Sequence, residues 1–131
     1  MTGETDLSKL VRNMRPERNT GQYVFCRVDS TERVPAPDLL GFFRENEGVT
    51  VILPKSNADD LGLAYSTVFA WITLSVHSSL EAVGLTAAVS HALTDAGISC
   101  NVVAAFYHDH LFVPVKDAAR AMDVLTGMSA S

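Results

Sequence analysis

The stretch "VHSSLEAVGLTAAVSHALTDAGISCNVV", residues 76–103, carries the strongest fold signal in this chain. It leaves a strand-like run, passes two serines and enters a helical pattern with Gly84 near its start. Leu85, Val89, Leu93 and Ala96, flanked by Ala82 and Ala92, recur at the spacing of a helix face turned toward a core. Gly97 ends the pattern, and "ISCNVVAAF" follows as a strand. Gly84 is the odd residue, since a glycine inside a helix costs about 1 kcal/mol relative to alanine. Two readings account for it. Ser78 and Glu81 form a Ser-x-x-Glu capping box and the helix starts early, with Gly84 inside it. Alternatively His77 to Val83 form a loop, and Gly84 marks the helix start, where a missing Cβ lets a ligand or neighbouring backbone come close.

On either side the pattern continues. In "STVFAWITLSV" (66–76), Phe69, Trp71, Thr73 and Ser75 alternate with Ala70, Ile72, Leu74 and Val76, as in a long strand. Downstream, "YHDH" (107–110) turns the chain, "LFVPV" (111–115) returns as a strand, and Asp117 caps an amphipathic helix over "DAARAMDVL". The second half therefore reads strand, helix, strand, hairpin strand, helix. In the first half, "DLSKLVRNM" is a helix capped by Asp6, "RPERNTG" breaks it, and "QYVFCRV" (22–28) is a strand. Pro35 and Pro37 lead into a predicted helix over "DLLGFFRENEG" closed by Gly48. "VTVILP" (49–54) is a strand, and "SNADDLG" a short helix or turn. Five or six strands are countable this way. Both halves suit an α+β layer, with helices on one face of a mainly antiparallel sheet.

Composition narrows the function. A net charge of -5 with no basic stripe disfavours nucleic acid. No apolar run approaches the ~18 residues of a membrane span. "MTGETDLSKL" has none of the features of a signal peptide, so the expectation is a cytoplasmic protein in which Cys26 and Cys100 stay reduced. Charge is uneven: residues 1–65 hold 18 charged side chains and residues 66–131 hold seven. A surface so poor in charge needs covering, which points to a homodimer.

Order and residues together resemble the ACT domain, a small-molecule-binding regulatory module. The resemblance rests on "VG" at 83–84, "AL" at 92–93, "AGISCNVV" at 96–103 and "DHLFVPV" at 109–115. The pattern is similar to the paired ACT regions of aspartokinases and of CASTOR-like arginine sensors, and to bacterial stand-alone tandem ACT proteins. It implies two ferredoxin-like βαββαβ units, a degenerate one over residues 1–65 and a fuller one over 66–131. Two full units need eight strands. Exchange between the halves, or short edges such as "ERV" at 32–34, has to supply the missing ones.

The resemblance also implies a free amino acid as ligand. Its carboxylate would rest on first-turn N–H groups beyond the loop of His77, Ser78, Ser79, Leu80 and Val83, beside Gly84. Leu80, Val83, Leu85, Ile98 and Val102 would line an apolar pocket, although ordinary core is the simpler role for Ile98 and Val102. Asn101, a polar amide in an apolar strand, has to be satisfied by a ligand or by backbone. "HDH" at 108–110 has the donor types of a metal site, but it lies where the hairpin turns and lacks a third ligand, so it reads as a turn. His77 beside Ser78 and Ser79 lacks a nucleophile elbow, and adjacency in sequence does not make a triad. No catalytic residue, metal or cofactor is expected. The expected function is non-enzymatic amino-acid binding, with a ligand-free dimerisation module as the alternative.

Overall fold

The computed structural model describes residues 6–76 and 83–130. In chain order the elements are α1 (Leu7–Asn13), β1 (Arg15–Arg18), β2 (Tyr23–Val28), β3 (Gly41–Glu45), β4 (Gly48–Pro54), α2 (Lys55–Asp60), β5 (Phe69–Ser75), α3 (Leu85–Asp95), β6 (Asn101–Ala104), β7 (Asp109–Pro114) and α4 (Ala118–Ala130). They form two compact units, one from the chain up to Thr20 with everything from Ala70 onward, the other from Gly21–Phe69. This division differs from a cut at residue 65, because the start of the chain goes with its second half.

In the first unit the strand order is β1-β5-β7-β6. Ile72 and Leu74 of β5 and Leu111 and Val113 of β7 point to one face, where Leu10 and Met14, Leu85, Val89 and Leu93, and Ala121 and Leu125 meet them. Three helices thus cover one face of the sheet, and every one of these side chains is at most 4% exposed. The missing edge comes from an unforeseen element. "RPER", taken in sequence as a break, is β1, pairing antiparallel with β5 from Arg15↔Ser75 to Arg18↔Ile72. Its composition hides it: an edge strand needs only backbone pairing on one side and can be polar on both faces. β5, α3, β6, β7 and α4 with β1 as fourth strand complete the ferredoxin-like α+β layer.

The second unit is a smaller sheet in the order β3-β4-β2, packed around Val24, Cys26, Val28, Val51, Leu53 and Ala58. Tyr23 also pairs with Phe69, the first residue of β5. The predicted helix over "DLLGFFRENEG" is instead β3, the first arm of a hairpin with β4. A helix there would put Phe42 and Phe43 on its surface with no ladder in return, whereas the strand pairs every residue from Gly41 to Glu45 with β4. Gly48 does not close a helix. It opens β4 at φ +144, a conformation open to glycine and strained for other residues. Between β2 and β3 the chain makes two 3-10 turns, Thr31–Arg33 and Ala36–Asp38, so "ERV" is not a strand and Pro35 caps a turn, not an α-helix.

Candidate functional site

Of the expected ligand residues, His77, Ser78, Ser79 and Leu80 lie outside the described residues, as do Glu81 and Ala82. The rest are clear. α3 begins at Leu85 with Gly84 as its N-cap, at φ +102, and the Gly84 carbonyl accepts from Ala88 N at 2.8 Å. The helix thus starts where the loop reading puts it. A Cβ on Gly84 would stand 3.2 Å from Leu7 Cδ2 of α1, so this glycine allows both the positive φ and the close seating of α1. With no side chain at the cap, first-turn N–H groups of α3 are left for water, backbone or a ligand. Val83 is 83% exposed, whereas Leu85 is core.

Ile98, Asn101 and Val102 are elsewhere. α3 is 11 residues long, and at about 1.5 Å per residue it separates Gly84 from Ile98 by roughly 16 Å. Ile98 is 3% exposed in the core, Val102 packs partly against it, and Asn101 Nδ2 donates to the Phe112 carbonyl at 3.5 Å from an exposed position. Gly84 and Asn101 are therefore not gathered into one pocket within a single chain.

"HDH" also resolves differently from a turn. Asp109 and His110 belong to β7, and the turn is Ala105 to His108, closed by Ala105 N donating to His108 O at 3.0 Å. His110 Nδ1 accepts from Trp71 Nε1 at 3.0 Å and lies 3.2 Å from Thr73 Oγ1. Burial lowers the His110 pKa and the neighbouring His108 adds to this, while Asp109 opposes it. Asp109 is 9% exposed, and burial raises its carboxyl pKa against the pull of both histidines. Among the described residues no three His, Cys, Asp or Glu side chains converge as a metal site. Both cysteines are free, and burial raises the Cys100 thiol to about 11.

The second unit contributes a concavity that the sequence pattern did not suggest. A surface cavity of about 410 Å³ is lined by Arg27, Asp29, Thr31, Arg44, Glu45 and Glu47 among others. Arg27 is held across its floor, donating Nε to Glu47 O at 3.0 Å and pairing with Asp29 at 3.1 Å. Gly48 makes room for it, since a Cβ there would meet Arg27 Nε at 2.6 Å. The signal was Asn46-Glu47-Gly48 ahead of a β-branched run, a hairpin turn that the helix reading absorbed.

The ACT domain family matches residues 2–70 and again residues 66–127. The chain belongs to the ACT domain family. A Vibrio cholerae protein of unknown function, described as a possible transport protein, is 42% identical over 95% of this chain and 97% of its own, with a TM-score of 0.86. An Agrobacterium tumefaciens protein is 20% identical over 88% of this chain and 89% of its own, at TM-score 0.70. The regulatory subunit of aspartate kinase from Thermus flavus shares the fold alone, at 9% identity and TM-score 0.63 over 86% of this chain and 95% of its own. No curated protein matches. ACT domains generally bind amino acids in regulatory proteins. Among the described residues no helix of this ACT protein is long and apolar enough to cross a membrane.

Proposed function

We propose that the chain is a non-enzymatic ACT regulatory protein of the cytoplasm that binds a free amino acid as a homodimer, with a degenerate ACT copy and a fuller one that takes α1 and β1 from the start of the chain. The observation that carries this is the pair of ACT matches running from residue 2 to residue 127. The ligand carboxylate meets the first-turn N–H groups of α3 at Gly84, helped by the helix dipole, and His77, Ser78, Ser79, Leu80 and Val83 are the further ligand residues of this reading.

Dimerisation accounts for the distance between Gly84 and Asn101. α3 carries the chain away from Gly84, and β6 runs back, so β6 starts far from Gly84 and ends nearer it. β6 is an edge strand with an uncharged sequence, and residues 96–107 carry no charge at all. An edge without lysine, proline or bulge is open to pairing. Two β6 strands paired antiparallel about a twofold axis place Asn101 and Val102 of one copy toward the Gly84 end of the other. A site shared in this way uses residues that one chain keeps apart.

The test is a thermal-shift screen of the twenty amino acids with light scattering on the same samples. One amino acid raises Tm, because a ligand of the folded state stabilises it by mass action, and the mass is that of a dimer. A dimer whose Tm no amino acid moves at millimolar concentration supports the ligand-free interaction module instead, and exposed Phe106 and Tyr107 beside β6 favour that second reading. A monomer at high micromolar concentration overturns the shared site.

A further inference from the structure

The sheet face of the first unit turned away from its helices carries a connected set of polar side chains. Asn19, directly after β1, donates its backbone N–H to the Trp71 carbonyl at 2.9 Å. Its side-chain Nδ2 donates to the same carbonyl at 3.2 Å and to Thr73 Oγ1 at 3.0 Å. With one lone pair engaged there, the Thr73 hydroxyl is free to donate its own proton to His110 Nδ1, 3.2 Å away. Trp71 Nε1–H, which can only donate, reaches the same nitrogen at 3.0 Å, and the two rings lie 5.7 Å apart at 47°. His110 Nδ1 therefore has to be the unprotonated nitrogen, with the imidazole proton on Nε2. Thr73 is 9% exposed, so its hydroxyl depends on partners within the protein.

We propose that His110 is a proton-operated latch joining β7 to β5: the neutral ring holds Trp71 and Thr73, and a proton on Nδ1 releases the indole. Protonation turns the acceptor into a donor facing the indole N–H, and two donors cannot share a bond. The threonine hydroxyl can reverse and accept, but the indole cannot. Loss of the contact unties the indole ring from His110, while the backbone ladder between β5 and β7 stays in place.

The charged groups around His110 set the pH at which this happens. Burial is the largest influence and favours the neutral ring, and His108, in the turn just before β7, acts in the same sense. Asp109 opposes them, yet burial raises its own pKa, so its help fades early as acid is added. β5 and β6 carry no titratable side chain. From β1, Glu17 stands opposite Thr73 and Arg15 opposite Ser75, on the same face as His110. The sign is then fixed. A histidine whose folded pKa lies below its unfolded value stabilises the fold above about pH 6.5, and that contribution is lost as pH falls below it.

Trp71 is the only tryptophan in the chain, so its fluorescence reports the latch directly. Its emission is followed from about pH 8 to about pH 4.5, across the histidine range, in the unmodified protein, His110→Gln and His108→Asn. The expected result is a one-proton transition centred below the ordinary imidazole value, present in the unmodified protein and His108→Asn and missing from His110→Gln. A transition that survives in His110→Gln, or no transition in the unmodified protein, overturns the latch. Histidine side-chain nitrogen NMR of the unmodified protein at neutral pH needs no variant. It should show His110 with its proton on Nε2, and a proton on Nδ1 overturns the proposal by itself.

Discussion

The two units solve the same problem with different means. The first has a four-stranded sheet with three helices on one face and a core that includes Leu10, Ile72, Leu74, Val89, Leu93, Leu111 and Leu125. The second has three strands and a six-residue helix, α2, and replaces the helix after its first strand with two 3-10 turns. Its core is small and mostly valine. The difference teaches which part of a ferredoxin-like unit is dispensable. A hairpin and its neighbouring strand hold together through ladder pairing, while the helical layer supplies most of the buried side-chain volume. The unit richer in helices also holds the start of α3 at Gly84, and the smaller unit has an open, charged concavity at Arg27.

Matched core truncations give the sharpest test of that contrast. Leu93 and Leu53 are both 0% exposed, one under the helices and one in the smaller unit. Leu93→Ala should cost ~3–5 kcal/mol in urea unfolding and Leu53→Ala ~2–3 kcal/mol, because the cost of a cavity rises with how firmly its walls are held. A larger loss at Leu53 breaks the comparison.

Glycine replacements probe the backbone of each unit. Gly48→Ala in the second unit should cost ~2–3 kcal/mol, Gly84→Ala ~1–2 and Gly97→Ala ~1, on the scale of positive-φ strain in ordinary residues. The order follows what a Cβ would meet: the Arg27 guanidinium at 2.6 Å, Leu7 Cδ2 at 3.2 Å, and nothing within 4 Å. Denaturant midpoints of the three variants check it. Equal losses mean that φ alone matters and that neither Arg27 nor α1 is seated by its glycine.

The smallest effect concerns the thiols. Burial raises the pKa of Cys100 to about 11, and burial with the nearby Asp59 raises that of Cys26. A folded-state thiol pKa above the unfolded value means stability that is intact below pH 9 and declines as pH climbs from there toward the folded pKa. Cys100→Ser should flatten part of that alkaline decline in unfolding midpoints measured across the range. At neutral pH both thiols should react slowly with a disulfide reagent, since the thiolate is the nucleophile. Fast labelling of Cys100 before unfolding contradicts its burial.

Much of the fold was legible where periodicity was strong. The alternation of Ala70, Ile72 and Leu74 with Trp71 and Thr73, and the stripe of Leu85, Val89 and Leu93, put the same residues in the core that the structure buries. The failures fell where local pattern and long-range pairing conflict. "GFFRE" has apolar residues that fit a helix turn as well as a strand, and only pairing with β4 chooses between them. "RPER" has no apolar signal, because it needs none as an edge. For the site, Gly84 was visible as an anomaly, but its two causes, a φ of +102 and the nearness of Leu7, are not. His110 looked like part of a turn because Asp and His suit turns. Its bond to Trp71, 39 positions away, had no local trace.

What the sequence determined by itself was the class of fold, the ACT family and the burial pattern of the second half, with Gly84 marked as one of two starts for its first helix. These depend on local periodicity and on which residue can cap a helix, which neighbouring residues encode. What only the tertiary structure decided was which strands complete which sheet, that the first residues of the chain belong with the last, and that Asn101 lies about a helix length from Gly84. Those outcomes depend on pairing between distant segments, where the energy lies in backbone hydrogen bonds and shared burial that no single stretch of residues can carry.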